Sequence, residues 1–322
     1  MQEFNTFLRK ISLILILFLI PNISLSKEFR GNFIAWGTNL DFIIHSELER
    51  DEVNSIIYKA QEIPNSMELV LNSKNPNSEI SKLNDLISNK NMKLSEDLFL
   101  LIKEGVYYNE ISDGYFDITV GSLNNHKSIY NESKNQQECM GIKNLVLDYE
   151  LKTIIKKKKC IKIDLDGLAE GYVISLMLKA FKESGIDDVL LNFGGNVSTL
   201  SNKSNWKVSI KNPDFNDEIN STFNLNNLSI STSSQYSKII KIKSDSFSHI
   251  LNPKQKVFKS KENISISVIS DDPIYSDAMS TSLQAMPLKK ALKFLKEAKD
   301  IKAIVLKRAK NNETKTLFKN FQ

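Results

Sequence analysis

Four short stretches of this 322-residue chain combine carboxylates, hydroxyls, glycines and a histidine in ways that neither a core nor a plain surface requires. The first is Asp113-Gly114-Tyr115-Phe116-Asp117-Ile118-Thr119-Val120-Gly121. An acid between an aromatic pair and a β-branched stretch, with glycine on both sides, suits a backbone approached closely by a flat ligand. Taken alone it also fits a turn into a strand. The second is Asp164-Leu165-Asp166-Gly167-Leu168-Ala169-Glu170-Gly171-Tyr172, where a strand ends in carboxylates and a helix begins at once. A helix N-terminus offers free N–H groups to an anion such as phosphate. Carboxylates and carbonyls beside it suit a hard cation such as Mg²⁺. The competing reading is that Asp164 or Asp166 simply caps the helix. The third is His249-Ile250-Leu251-Asn252-Pro253, a histidine on a strand that turns sharply at proline. The fourth is Ser276-Asp277-Ala278-Met279-Ser280-Thr281, with Asp277 and Thr281 at i and i+4 on one helical face. A carboxylate and a hydroxyl on one turn, with Ser280 adjacent, can clamp a metal, although such a pair also fits an exposed face or a cap.

The elements that must position these residues follow from periodicity and punctuation. Residues 33–46 read as a strand broken at Trp36-Gly37-Thr38. Residues 49–71 carry Val53, Ile56, Ile57, Ala60 and Ile63 at helical spacing, and Pro64 is expected to interrupt or end that helix. A turn cluster at 72–77 precedes a short helical piece at 78–84. The next helix spans 95–112, capped by Ser95, with Leu98, Leu101, Ile102, Val106 and Tyr107 on one face. Residues 144–164 alternate like paired strands that turn near Tyr149-Glu150. Residues 169–184 are helical up to Gly185. A buried strand at 189–193 ends in Gly194-Gly195, and strands follow at 206–211, 228–232, 239–242 and 264–269. Helices at 276–285 and 288–299 and a last strand at 303–306 complete the chain. Helices and antiparallel-looking strands intermix irregularly, which predicts an α+β fold of mixed, largely antiparallel sheets with packed helices.

Composition narrows the setting. Arg9 and Lys10 precede an apolar run at 11–20, then Pro21, Asn22, Ser24 and Ser26, the pattern of a signal peptide over 1–26. The run is too short to cross a bilayer comfortably, which takes roughly twenty residues; an uncleaved, tilted anchor is the alternative. No cysteine sits at the cleavage point to take a lipid. The expected location is the bacterial periplasm or the outer face of the inner membrane, with one domain over 27–322. The net charge of +5 is diffuse. Its single run, Lys156 to Lys159, has no interleaved aromatics, which argues against nucleic acid and reads as a solvated turn between two strands. An exported chain permits a disulfide between Cys139 and Cys160, whose spacing fits no metal or redox motif. His45 and His126 match no motif and read as structural or exposed.

Taken in order, the four stretches resemble the FAD:protein FMN transferase family, the ApbE-like proteins, over nearly all of the chain after residue 26. Further landmarks are Trp36-Gly37-Thr38, Ser78-Glu79-Ile80-Ser81-Lys82-Leu83-Asn84, Asn192-Phe193-Gly194-Gly195, Trp206-Lys207-Val208 and Ile230-Ser231-Thr232-Ser233. The resemblance implies an α+β fold with FAD in a cleft and Mg²⁺ on its pyrophosphate. It implies Asp277 and Thr281 as metal ligands with Ser280, where some relatives have Asp, and a carbonyl ligand at Gly167. Tyr115, Phe116, Asp117, Asp164, Glu170 and Leu251 fall on FAD-contacting positions, with Trp36 beside the flavin. The implied reaction moves FMN from FAD to a Ser/Thr hydroxyl of an exported or membrane-bound redox flavoprotein subunit and releases AMP. His249 is the candidate base, since imidazole titrates near neutrality. The alternatives are an FAD pyrophosphatase with water as acceptor, and an FAD-binding protein that has lost catalysis. The pattern departs from the family at Asn252 (usually Asp, with a Thr-Gly missing after Pro253), at Ser234 (usually Gly), at Lys74 (an expected aromatic) and at Trp36 (usually Met). These changes bear on rate and flavin affinity more than on fold.

Overall fold

The computed structural model describes residues 26–123, 138–213, 218–234, 239–242, 245–255, 263–309 and 313–321. The expected signal segment and His126 therefore lie outside the described residues. The chain opens with a hairpin, β1 (Lys27–Ala35) and β2 (Thr38–Ser46), turning at Trp36 and Gly37 with both at positive φ. Helix α1 (Arg50–Leu71) follows, then α2 (Glu79–Asp85), β3 (Asn91–Lys93) and α3 (Glu96–Ile111). Strands β4 (Leu145–Asp148) and β5 (Thr153–Lys156) pair with β3 in a small sheet. Next come α4 (Asp166–Glu183), β6 (Val189–Phe193), β7 (Asn196–Leu200), β8 (Lys207–Lys211), β9 (Ile219–Asn224) and β10 (Ser229–Ser234). The chain continues through β11 (Ile239–Ile242), β12 (Asp245–Ser248), β13 (Ile264–Ser270), α5 (Pro273–Ala285), α6 (Leu288–Glu297), β14 (Lys302–Arg308) and β15 (Thr314–Lys319).

The main sheet runs β1-β2-β6-β7-β10-β13-β14-β15, antiparallel throughout. The α+β expectation holds. Period-two alternation gives this sheet two apolar faces. Ile266 and Val268 of β13 and Ala303 and Val305 of β14 join the main core under the helices. Their neighbours Ile269, Ile304 and Leu306 join Val208, Ile210 and Phe223 of the β8–β9 hairpin on the opposite face. On the helical side α5 packs directly on β10 and β13, α4 on α5, and α1 on α4.

Several elements differ from the sequence reading, each for a physical reason. Helix α1 runs through Pro64. One missing N–H is tolerated because Val53, Ala60, Pro64, Met67 and Leu71 all lie on the buried face, so tertiary packing grips the helix on both sides of the proline. In α3 the buried face is turned to Gly105 and Tyr108 in place of Val106 and Tyr107, and Tyr107 is exposed. Gly105 sets that rotation: a Cβ there would sit 2.5 Å from the Ile118 side chain. Lys156 is not in a solvated turn; it closes β5 and is fully buried. Only the lysines after it enter the turn. A further strand, β15, follows the one expected to be last. Cys139 and Cys160 form a disulfide. His45 matches its structural reading, stacked on Trp206 with ring centroids 4.7 Å apart.

Candidate active site

A cleft of ≈ 1010 Å³ lies where the β1–β2 turn, segment 113–121, the entry to α4, and the β10–α5 layer meet. That is the upper end of small-molecule sites. Trp36, Tyr115, Phe116, Asp117, Asp164, Gly167, Glu170, His249, Leu251, Asp277 and Thr281 all line it. Ser280 sits behind that lining: its hydroxyl donates to Asp277 O at 3.0 Å and lies 3.0 Å from Ser233 Oγ.

The acidic centre is built by two helices pressed together. Gly171 of α4 allows the approach, because a Cβ there would lie 2.5 Å from the carbonyl oxygen of Pro273 in α5. The Gly171 N–H then donates to Asp277 Oδ2 at 3.1 Å. Asn196 Nδ2 donates to Glu170 Oε2 at 2.9 Å, and the same side chain acts on Asp277, holding its carboxyl down. Burial pushes the Asp277 carboxyl well above the usual carboxylate range, and the neighbouring Glu170 charge pushes it further. Gly194 (φ +63°) makes room for Glu170: an added Cβ would meet its carboxylate at 2.6 Å.

Thr281 stands one helical turn beyond Asp277. A Cβ on Gly167 would lie 3.3 Å from Thr281 Oγ1 and 3.0 Å from the Phe116 ring, so glycine lets the α4 entry lie against both. The residue at the N-cap position of α4 is Leu165, without a side-chain cap. Asp164 Oδ1 accepts the Asp166 N–H at 2.9 Å, so it braces the entry from one residue further out. Lys74 reaches Asp166 at 3.5 Å across solvent, an ion pair of small energetic consequence.

Around this centre lies an aromatic and polar wall. Trp36 donates its indole N–H to Pro64 O at 2.9 Å and meets Phe193 edge-on at 5.6 Å. The proline carbonyl in mid-helix thus fixes the tryptophan at the cleft. Asp117 accepts the Thr119 hydroxyl at 2.6 Å and its N–H at 2.8 Å. Burial raises its carboxyl, and those two bonds oppose the rise. The Lys254 and Lys290 ammonium groups both lie over the Tyr115 ring, 4.6 and 4.8 Å from its centroid, and both reach Asp113. His249 is half-buried just past β12. Asn252 Oδ1 accepts the Lys254 N–H at 2.9 Å, a turn role that its carboxamide oxygen shares with aspartate.

Three contributors escaped the sequence reading as site residues. Asn196 acts on both acids, and its only signal was its place after Gly194-Gly195. Ser233 faces Ser280 and lies 3.3 Å from Thr281 Oγ1. Asn84 clasps the main chain of Ile163, donating to its carbonyl at 2.9 Å and accepting its N–H at 2.6 Å. Both asparagine and serine lay inside quoted motifs, but their partners are distant in sequence.

Among the described residues no three His, Cys, Asp or Glu side chains converge as a metal cage. The oxygens that could hold a cation are instead the buried Asp277 carboxylate, the Thr281 hydroxyl and the Gly167 carbonyl, all from residues that line the cleft. Such hard oxygen donors suit Mg²⁺, which keeps waters and takes few protein carboxylates when phosphate oxygens share its shell. A cation there would also offset the two neighbouring acids.

Comparison with known proteins finds likeness in sequence and in fold. A model described as the ApbE family matches residues 36–305. The FAD:protein FMN transferase of Buchnera aphidicola subsp. Schizaphis graminum is 31% identical over 266 residues, covering 77% of each chain. That of Klebsiella pneumoniae is 24% identical over 238 residues, 70% of this chain and 74% of its own. Among solved structures, the apo form of the Pseudomonas stutzeri flavinyl transferase ApbE superposes with a TM-score of 0.78 at 19% identity, covering 92% of this chain and 96% of its own. The flavin transferase ApbE from Vibrio cholerae gives 0.76 at 16% identity, covering 90% and 97%.

Proposed function

The chain belongs to the ApbE family, and on that premise we propose that it is an FAD:protein FMN transferase working at the cleft around Asp277. The observation that carries the reading is the convergence, in one cleft, of every cofactor-contacting position that the resemblance implies. In this reading FAD lies along the aromatic wall with its pyrophosphate at the α4 entry. A Ser/Thr hydroxyl of the acceptor protein attacks the FMN phosphorus. The new P–O bond replaces the bond to the bridging oxygen, AMP leaves with that oxygen, and the hydroxyl proton passes to His249.

Asp277, Thr281 and the Gly167 carbonyl would hold Mg²⁺, which when bound neutralises charge on the pyrophosphate. Local geometry supports the carbonyl. The regular helical acceptor of the Gly171 N–H is Gly167 O, and that N–H also serves Asp277, which loosens the claim on Gly167. Ser280 supports Asp277 from behind. Asp117 and Asp164 bind and orient the donor, and Glu170 fixes the carboxylate pair through Asn196. Export is part of the same reading, and the Cys139–Cys160 disulfide supports an oxidising compartment.

Nucleotide analysis after incubation with FAD tests the reaction class. AMP release that requires both Mg²⁺ and an acceptor flavoprotein subunit supports the transferase. Equal AMP and free FMN without any acceptor would favour a pyrophosphatase instead, and bound but unchanged FAD a protein that has lost catalysis.

A further inference from the structure

Lys156 is fully buried although nothing in the reaction uses it. Lysine is almost never buried completely unless its charge is met, because moving an ammonium out of water is costly. Its Nζ donates to Asn84 O at 2.8 Å and Ile161 O at 3.1 Å. The nearby carboxylate, Asp85, is held by Lys162 at 2.8 Å. Burial, and then the Lys162 charge, lowers the Lys156 ammonium to about 8. An aliphatic side chain would fill the same space without that cost, so the donors need a purpose.

Both acceptors lead to the cleft. Asn84 lies in the last turn of α2 and lines the cleft, and carbonyls at a helix C-terminus favour a cation. Its carboxamide clasps Ile163 from both sides. Ile161 lies two residues earlier on that same segment, which runs on to Asp164 in the cleft wall. The ammonium therefore bonds Asn84 on one side of the seam and, on the other, Ile161, two residues before the clasped Ile163.

We propose that Lys156 is a positioning residue for the nucleotide-binding wall: its ammonium locks α2 to the 161–164 segment, so that Asp164 and the α4 entry are held in place before FAD arrives. The inference rests on the reading that this cleft binds FAD. Loss of the ammonium removes two bonds across the seam and leaves those of the Asn84 carboxamide and of Lys162, which also reaches Asn84 O at 2.8 Å. The seam loosens without any change at the ligand, so the effect falls on FAD affinity and is restored by a side chain that keeps charge and donors.

The test measures the FAD dissociation constant of the full chain by quenching of flavin fluorescence, with the unfolding midpoint followed in parallel. Lys156→Met is expected to weaken FAD binding by about tenfold or more, the worth of a buried charge-assisted hydrogen bond. Turnover at saturating FAD should stay within about threefold, because the reacting groups are intact. Lys156→Arg should recover most of the affinity. Should Lys156→Met fail to fold, Lys156→Gln replaces it, keeping N–H donors without the charge, with the same expectation. A folded Met or Gln variant that binds FAD as tightly as the parent overturns the inference, as does Lys156→Arg losing as much affinity as Met. Failure of the parent chain to bind FAD would instead strike the functional reading beneath it.

Discussion

At the residue scale the proposed reaction centres on Asp277. It is buried, bonded by Gly171, held down by Asn196 and crowded by Glu170. Asp277→Ala should abolish Mg²⁺-dependent AMP release while leaving FAD binding within about tenfold, since only one contact to a shared ion is lost. Calorimetric titration with FAD and steady-state nucleotide assay separate the two. His249→Gln should lower turnover about 10²–10⁴-fold if its imidazole takes the acceptor proton; near-parental turnover would leave it a pocket-bracing role. Lys156 adds a signature in stability. Its folded pKa of about 8 lies below the ordinary lysine value of 10.5, so between these pH values the unfolded chain binds the extra proton. Stability should therefore rise with pH across that window, by about 3 kcal/mol at most. Denaturant titrations at pH 7.5 and 10 on the parent and on Lys156→Met check this: the rise attributable to Lys156 should vanish in the variant.

Helix α4 and helix α5 form the element on which the site depends, because their contact at Gly171 brings Asp277 to the α4 backbone. Gly171→Ala places a Cβ 2.5 Å from the Pro273 carbonyl oxygen, and backbone cannot swing aside as a side chain can. The variant should lose about 1–3 kcal/mol and lose Mg²⁺-dependent activity out of proportion to that, measured on protein shown to be folded. Much of this level was legible in the sequence. The i,i+4 pair Asp277/Thr281 and the glycine pair after β6 are local patterns on their expected elements, whereas the helix start at Gly167 follows no strand: β5 ends at Lys156 and the lead-in carries only the isolated Val120–Lys162 bridge. What stayed hidden was set by distant partners. Pro64 looked like a helix end because only the tertiary contacts of α1 reveal how firmly both halves are held. Lys156 looked solvated because its acceptors, Asn84 and Ile161, come together only when α2 packs beside β5. Asn196 gave no signal beyond its place after Gly194-Gly195, since the two acids beside it sit on separate helices.

For the whole molecule, an eight-stranded antiparallel sheet supports the helical layer, and the β8–β9 hairpin covers its other face. The Cys139–Cys160 disulfide closes a loop with a sequence separation of 21 next to the cleft. Replacing both cysteines by serine should cost about 3 kcal/mol in the chain-entropy account, read as a lowered unfolding midpoint under non-reducing conditions. An unchanged midpoint would mean that the bond adds no stability. The central claim is that this scaffold moves FMN onto another protein, and the mass of the acceptor tests it most directly. An exported flavoprotein subunit incubated with the chain, FAD and Mg²⁺ should gain the mass of one FMN unit on a single Ser or Thr. Omitting Mg²⁺ or substituting Asp277→Ala should leave that mass unchanged. An acceptor that stays unmodified while the chain binds FAD and Mg²⁺, or one modified equally well by Asp277→Ala, would contradict the account.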